Sequence, residues 1–168
     1  MLIFLTGFMG VGKTTMGKSL AENLNYTFVD LDLEIEKDAS RTISDIFKEE
    51  GEPYFRNLER SILLKIIKSK PSKIVIALGG GTICNLNNHV NILQNGISVY
   101  LKKDWNCIWS NIKKLSNRPL LVAKSERELK QLFEKREQFY AFSQLTTPIN
   151  TAIDVKKLTI YLKLLTNR

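Results

Sequence analysis

Short, unbroken apolar runs alternate along this chain with stretches of helical periodicity. Leu2-Ile3-Phe4-Leu5 reads as a buried strand, and 13–24 as the helix that follows it. Thr27-Phe28-Val29-Asp30-Leu31 reads as a second strand, with Asp30 and Asp32 at its end. A polar, helix-prone stretch comes next, and Thr42-Ile43-Ser44-Asp45 resembles a capping box opening a short helix that ends near Gly51. Pro53 marks the first position of a helix reaching about Lys68. Lys73-Ile74-Val75-Ile76-Ala77-Leu78 has the continuous apolar character of a central parallel strand. A helix over 87–94 closes at Gly96, and Ile97-Ser98-Val99-Tyr100-Leu101 is a fourth strand. Trp105, Ile108, Trp109 and Ile112 fall at i, i+3, i+4 and i+7, which is one buried helix face. A basic, proline-containing loop spans 116–124. Ser125 and Glu128 frame another capping box, opening a long helix to about Gln144. Pro148-Ile149-Asn150 is a short last strand, and 154–166 a last helix. Strands alternating with helices predict an α/β fold whose parallel sheet is covered on both faces. Ligands in such sheets bind beyond the carboxyl ends of the strands, which gathers 7–14, Asp30, Asp32 and 79–81 at one rim.

Composition narrows this picture. A chain of 168 residues, 43% hydrophobic, suffices for one α/β domain over 1–168. No apolar run approaches the ~20 residues of a membrane span. The apolar start lacks a basic leader and breaks at Gly7, so it reads as the first strand of a cytoplasmic protein rather than a signal peptide. The net charge of +8 admits a nucleic-acid binder or an enzyme for anionic substrates. The lysines are scattered on what read as solvated helix faces, which speaks against nucleic acid. Cys84 and Cys107 form no C-x-x-C and read as buried or half-buried free thiols. His89, the single histidine, lies among asparagines and reads as a surface residue, so a histidine-based zinc site is not expected.

Gly7-Phe8-Met9-Gly10-Val11-Gly12-Lys13-Thr14 fits G-x-x-x-x-G-K-[ST], between a strand and a helix as that phosphate-binding loop requires. Its glycines let the backbone wrap a polyphosphate, and the loop amides and following helix N-terminus face the anion. Lys13 reaches the β/γ-phosphates, and the Thr14 hydroxyl can ligate Mg²⁺. Beside this loop, one of Asp30 and Asp32 can hold the magnesium shell while the other accepts a proton from a substrate hydroxyl. Leu129, Leu132, Phe133, Arg136 and Tyr140 share a helical face. An arginine on such a face is costly without an anion to meet it, and a carboxylate is the natural fork-shaped partner. Arg56 and Glu59 are i, i+3 neighbours, so Glu59 can orient Arg56. Arg118, followed by Pro119, lies in a loop rather than a periodic element, which suits an arginine carried by a lid.

These pieces, in this order, resemble the shikimate kinase family over nearly the whole chain. The matching residues are the loop at 7–14, Asp30-Leu31-Asp32, Glu34-Ile35-Glu36, Ile43-Ser44-Asp45-Ile46-Phe47 and Gly51-Glu52. They continue with Phe55-Arg56 and Glu59, Gly79-Gly80-Gly81, Asn117-Arg118-Pro119-Leu120-Leu121, and Lys135-Arg136 with Tyr140. The resemblance implies a three-layer P-loop kinase fold with a five-stranded parallel sheet in the order 2-3-1-4-5. It implies MgATP-dependent phosphorylation of the 3-hydroxyl of shikimate, in the pathway to chorismate and the aromatic amino acids; the chain is expected to act as a monomer on this small-molecule substrate, with no nucleic-acid or membrane partner. By the same carry-over Gly10, Val11, Gly12, Lys13, Thr14, Thr15 and Arg118 contact ATP. Thr14 and Asp30 hold the metal. Asp32 is the candidate base. Arg56, Arg136, Gly79, Gly80 and Gly81 take shikimate, with Ile43, Phe47 and Phe55 on its apolar side. The substrate region lies at about 32–60 and the lid at about 113–124.

The chain departs from the family before the lid, where an adenine-side arginine is usual. Asn111-Ile112-Lys113-Lys114 has none, nor has the segment 151–156, leaving Lys113 or Lys156 as replacements without a stacking plane. Another small-molecule P-loop kinase, such as a gluconate-type kinase, would also use two arginines on an acid. A GTPase switch would need an Asn-Lys-x-Asp signature, which the chain lacks. An idle binding protein would not need Lys13, Thr14, Asp30, Asp32, Arg118 and Arg136 together.

Overall fold

The computed structural model describes residues 1–69, 72–114, 124–149 and 152–166. Its five parallel strands are β1 (Leu2–Thr6), β2 (Thr27–Asp30), β3 (Ile74–Ala77), β4 (Gly96–Lys102) and β5 (Leu145–Pro148). Their order is β2-β3-β1-β4-β5, as the resemblance implies. Eight α-helices accompany them among the described residues: α1 (Lys13–Leu24), α2 (Leu31–Ala39), α3 (Ile43–Glu49), α4 (Gly51–Lys68), α5 (Leu86–Asn95), α6 (Trp105–Ile112), α7 (Glu126–Tyr140) and α8 (Ala152–Thr166). A 3₁₀ turn at Thr82–Cys84 follows β3.

Burial explains the order. Every residue of β1 and β3 is buried, as central parallel strands require, whereas β2 and β5 are partly exposed and lie at the edges. Side chains alternate across the pleat. Leu2, Phe4, Ile74 and Ile76 face a core completed by Leu31, Ile35, Ile62, Leu63, Ile92 and Phe133. Ile3, Leu5, Val75, Val99 and Leu101 face another, completed by Met16, Leu20, Leu24, Leu158 and Leu162. Helices therefore cover both faces, and the carboxyl ends of β1, β2 and β3 share a rim because β1 and β2 each pair with β3.

Several boundaries differ from the sequence reading, each for a local reason. The second strand stops at Asp30, whose carboxylate caps α2 by accepting Asp32 N–H at 3.1 Å, so Asp32 is helical rather than the end of a strand. Thr42 caps α3 as expected, its side chain accepting Asp45 N–H at 3.1 Å. Gly51, at φ 80, makes the turn out of α3, and α4 begins there, two residues before Pro53. Pro53 is tolerated because first-turn amides need no helical partner. Gly96 does not close α5 with a left-handed cap. It is extended (φ −177) and opens β4, where a Cβ would lie 2.3 Å from Leu2 O across the sheet. The Ser125–Glu128 capping box is complete, but α7 ends at Tyr140. Gln144 has turned away to accept Ser98 N–H at 2.7 Å and to donate its own N–H to Ser98 Oγ at 3.0 Å. The last strand accordingly starts at Leu145, earlier than the expected 148–150.

His89 is buried rather than superficial, and packs on the Phe142 ring at 6.0 Å. The cause is the phase of α5, which turns Asn88, His89 and Ile92 inward and leaves Leu86 and Val90 in solvent. Cys84 is half-buried as expected, but Cys107 is exposed on the outer side of α6, and both thiols are free. Among the described residues no helix is long and apolar enough to cross a membrane.

Candidate active site

The loop at 7–14 joins β1 to α1. Gly7, Gly10 and Gly12 all have positive φ (140, 77 and 101), conformations that a side chain would strain. Gly12 stands at the N-cap of α1, and Met16 N–H donates to its carbonyl at 2.9 Å. No side chain caps this helix end, and no acid occupies its first turn, so its positive pole stays open to an anion. Lys13 Nζ curls back over the loop, donating to Gly7 O at 2.8 Å and Phe8 O at 3.2 Å. Val11 is buried, and Thr15 is exposed beside half-buried Thr14. Phe8 anchors the loop from below, edge-on to Phe133 at 5.5 Å and tilted to Trp105 at 6.3 Å.

Thr14 and Asp30 meet directly. Thr14 Oγ1 donates to Asp30 Oδ2 at 2.7 Å, so a hydroxyl and a carboxylate present oxygens together at the end of β2. Among the described residues no three acidic, histidine or cysteine side chains cluster to hold a metal by themselves. Two protein oxygens suit Mg²⁺, which keeps several waters and takes its remaining ligands from phosphate.

The three glycines after β3 form a floor on which charged groups converge. A Cβ on Gly79 would lie 2.8 Å from Glu59 Oε1, 2.9 Å from Asp32 Oδ1 and 3.0 Å from Thr82 Oγ1, so only glycine fits between these groups. A Cβ on Gly81 would lie 2.7 Å from Arg56 Nη2. One on Gly80 would lie 3.4 Å from Met9 N and 3.8 Å from Arg136 Nη1, which sets this segment beside the phosphate loop and close to Arg136. Tyr140, buried at the end of α7, donates its hydroxyl to Gly80 O. Arg136, one turn earlier, is half-buried with its guanidinium 6.0 Å from the Phe8 ring centre. The helical face read from the sequence is therefore real, and it delivers Arg136 to the glycine floor.

Arg56 is held on one side by acids. Its Nη1 donates to Glu59 Oε2 at 2.9 Å and its Nη2 to Glu52 Oε1 at 3.0 Å, while its plane lies 5.1 Å from the Phe55 ring centre. Glu59 is completely buried and also accepts the Thr82 hydroxyl at 2.7 Å. Burial opposes the charge of Arg56, but the Glu59 and Glu52 carboxylates together outweigh it and raise the arginine above its ordinary value. Burial pushes the Glu59 carboxyl upward, against the pull of Arg56 and Thr82. The Phe47 and Phe55 rings pack tilted with centres 4.7 Å apart, and half-buried Ile43 packs on the same core, giving an apolar wall beside these charges.

Most expected residues thus meet at one rim: Gly10, Val11, Gly12, Lys13, Thr14, Asp30, Asp32, Arg56, Arg136 and 79–81. Arg118 and most of the expected lid, 115–123, lie outside the described residues. Lys113 places its ammonium 5.8 Å from the Trp109 ring centre, and Lys156 is exposed. Thr82 and the Tyr140 hydroxyl were not anticipated as site groups. Neither carries a local sequence signal, since each acts through a partner more than twenty residues away.

A parallel sheet in this order, with a phosphate loop between its first-numbered strand and helix, defines a P-loop phosphotransferase. A family model described as shikimate kinase matches residues 9–163. The shikimate kinase of Thermoanaerobacter pseudethanolicus is 43% identical over 159 residues, covering 94% of this chain and 88% of its own. The shikimate kinase from Acinetobacter baumannii, solved in complex with shikimate, superposes with a TM-score of 0.88 at 36% identity, covering 99% of this chain and 94% of that one. The Aquifex aeolicus shikimate kinase gives 0.84 at 32% identity, covering 97% and 96%. The chain belongs to the shikimate kinase family, whose members use ATP as phosphate donor.

Proposed function

We propose that this chain transfers the γ-phosphoryl group of ATP to the 3-hydroxyl of shikimate, yielding 3-phosphoshikimate and ADP on the route to chorismate. The observation that carries this reading is the convergence of Asp32, Arg56 and Arg136 on the glycine floor, next to the phosphate loop. A small hydroxylated acid needs that combination: cations for its carboxylate, and a carboxylate for the hydroxyl that must lose a proton.

The phosphate loop cradles the polyphosphate with its amides, and Lys13 leaves Gly7 O and Phe8 O to meet the transferring phosphoryl oxygens. Thr14 and Asp30 would hold Mg²⁺, which would supply charge neutralisation at the phosphates. Asp32 orients the acceptor hydroxyl and takes its proton as the bond to phosphorus forms. Arg136 and Arg56 grip the carboxylate, with the glycine backbone close to the ring. Phe47 and Phe55 line its apolar side. Arg118 keeps, from its motif, the task of meeting the transferring phosphate. We read the whole chain as one domain acting as a monomer in the cytoplasm. The two free thiols suit a reducing compartment.

Arg136 is the better of the two arginines for a test. Removing Arg56 would strand the buried Glu59 carboxylate, a loss of about 3–5 kcal/mol that mixes folding with binding. In Arg136→Lys the charge remains and the planar fork is lost. The KM for shikimate is expected to rise at least about tenfold with the KM for ATP little changed. A rise confined to the ATP KM would move Arg136 to the nucleotide side.

A further inference from the structure

A carbonyl of the phosphate loop is held by a side chain 101 residues away. Asn111 Nδ2 donates to Gly10 O at 2.8 Å. Asn111 lies in the last turn of α6, half-buried between Ile108 and Ile112. The loop rests on this helix without clearance. A Cβ on Gly10 would lie 2.9 Å from Ile112 Cγ1 and 3.1 Å from Ile108 O. Asn111 adds direction to that packing.

The direction matters because a peptide unit is planar and trans, so Gly10 C=O and Val11 N–H point opposite ways. With the carbonyl pinned to α6, Val11 N–H turns to the other side and donates to Phe8 O at 3.3 Å. Phe8 O is one of the carbonyls that take the Lys13 ammonium. The amide therefore points into the concave space that Lys13 occupies.

We propose that Asn111 is a positioning residue of the phosphate loop: by fixing Gly10 O on α6 it aims the Val11 N–H at the polyphosphate of the nucleotide. This rests on the reading that the loop binds the phosphates of ATP. The rival role for Asn111 is a direct contact with the adenine base. The two differ in what happens when the base is absent.

The test is calorimetric titration of the parent, Asn111→Leu and Asn111→Asp with magnesium tripolyphosphate and with MgADP, beside the steady-state KM for shikimate. Leucine keeps the volume without the donor, and aspartate keeps the shape while facing Gly10 O with an acceptor. Both ligands are expected to weaken by the same factor, about five- to tenfold for leucine and more for aspartate, as loss of one hydrogen bond implies. The shikimate KM stays within about twofold, which a general loosening of the fold would not allow. Should the leucine variant fail to fold, Asn111→Ala, which also removes the donor and adds no charge, gives the same comparison. Weaker MgADP with unchanged tripolyphosphate overturns the proposal in favour of a base contact. A parallel rise in the shikimate KM overturns it in favour of a structural role. Failure of the parent itself to bind tripolyphosphate overturns the phosphate-loop reading on which it rests.

Discussion

Lys13→Ala is expected to lower kcat by about 10²-fold or more, the usual cost of removing a preorganised electrostatic stabiliser of developing charge. The ammonium lies over the loop on Gly7 O and Phe8 O, so it is already near the position where phosphoryl oxygens would arrive. Folding should be little affected. Lys13 is half-exposed at the start of α1, and the helix is anchored by Met16, Leu20 and Leu24 rather than by this side chain. The melting temperature should therefore shift by no more than a few degrees, roughly the effect of 1 kcal/mol or less. A thermal melt with a kcat measurement at saturating substrates separates the two effects. A variant with near-parental kcat would remove Lys13 from the chemistry.

The second large effect is at Asp32. In Asp32→Asn the side chain keeps its shape beside Gly79 but can no longer take a proton. Turnover with shikimate is expected to collapse, by at least about 10²-fold, the lower range for a positioned acid–base group. MgATP binding should persist, because Thr14, Asp30 and the loop amides are untouched. Asparagine also removes a negative charge near Glu59, whose carboxyl Asp32 pushes upward. The Arg56–Glu59 pair, whose Glu59 carboxyl is raised mainly by burial, stays in place. A KM for shikimate measured beside kcat separates lost proton transfer from weakened substrate binding. Turnover within about threefold of the parent would mean that Asp32 is not the base.

Those parts of the molecule that rest on contiguous sequence were legible from it. The phosphate loop is one unbroken segment between a strand and a helix, and both neighbours have the expected periodicity. The face bearing Arg136 follows from helical spacing alone, and the sheet order followed from the family resemblance. Contacts between distant segments were not legible. Glu59 was read as an orienting partner of Arg56, but its complete burial and its bond to Thr82 depend on where α4 meets the glycine floor. A glutamate beside an arginine looks the same in sequence whether it is solvated or buried. His89 was misjudged because its asparagine neighbours suggested solvent, whereas the rotation of α5 is set by Ile92 and its packing on the sheet. Asn111 carries no local signal at all, since its partner Gly10 lies across the fold. Strand and helix ends shifted by a few residues wherever a side chain, such as Asp30 or Gln144, supplied its own cap or cross-link.

The central claim is that a carboxylate-bearing, hydroxylated ring is phosphorylated at this rim. It is tested most directly by coupled ADP release from MgATP with shikimate, with gluconate and with no acceptor, the product being identified by phosphorus NMR. Rapid, shikimate-dependent ADP release with one new phosphate ester on the 3-hydroxyl is expected, with only background release in the other two reactions. Equal or faster release with gluconate, or release independent of any acceptor, would contradict it.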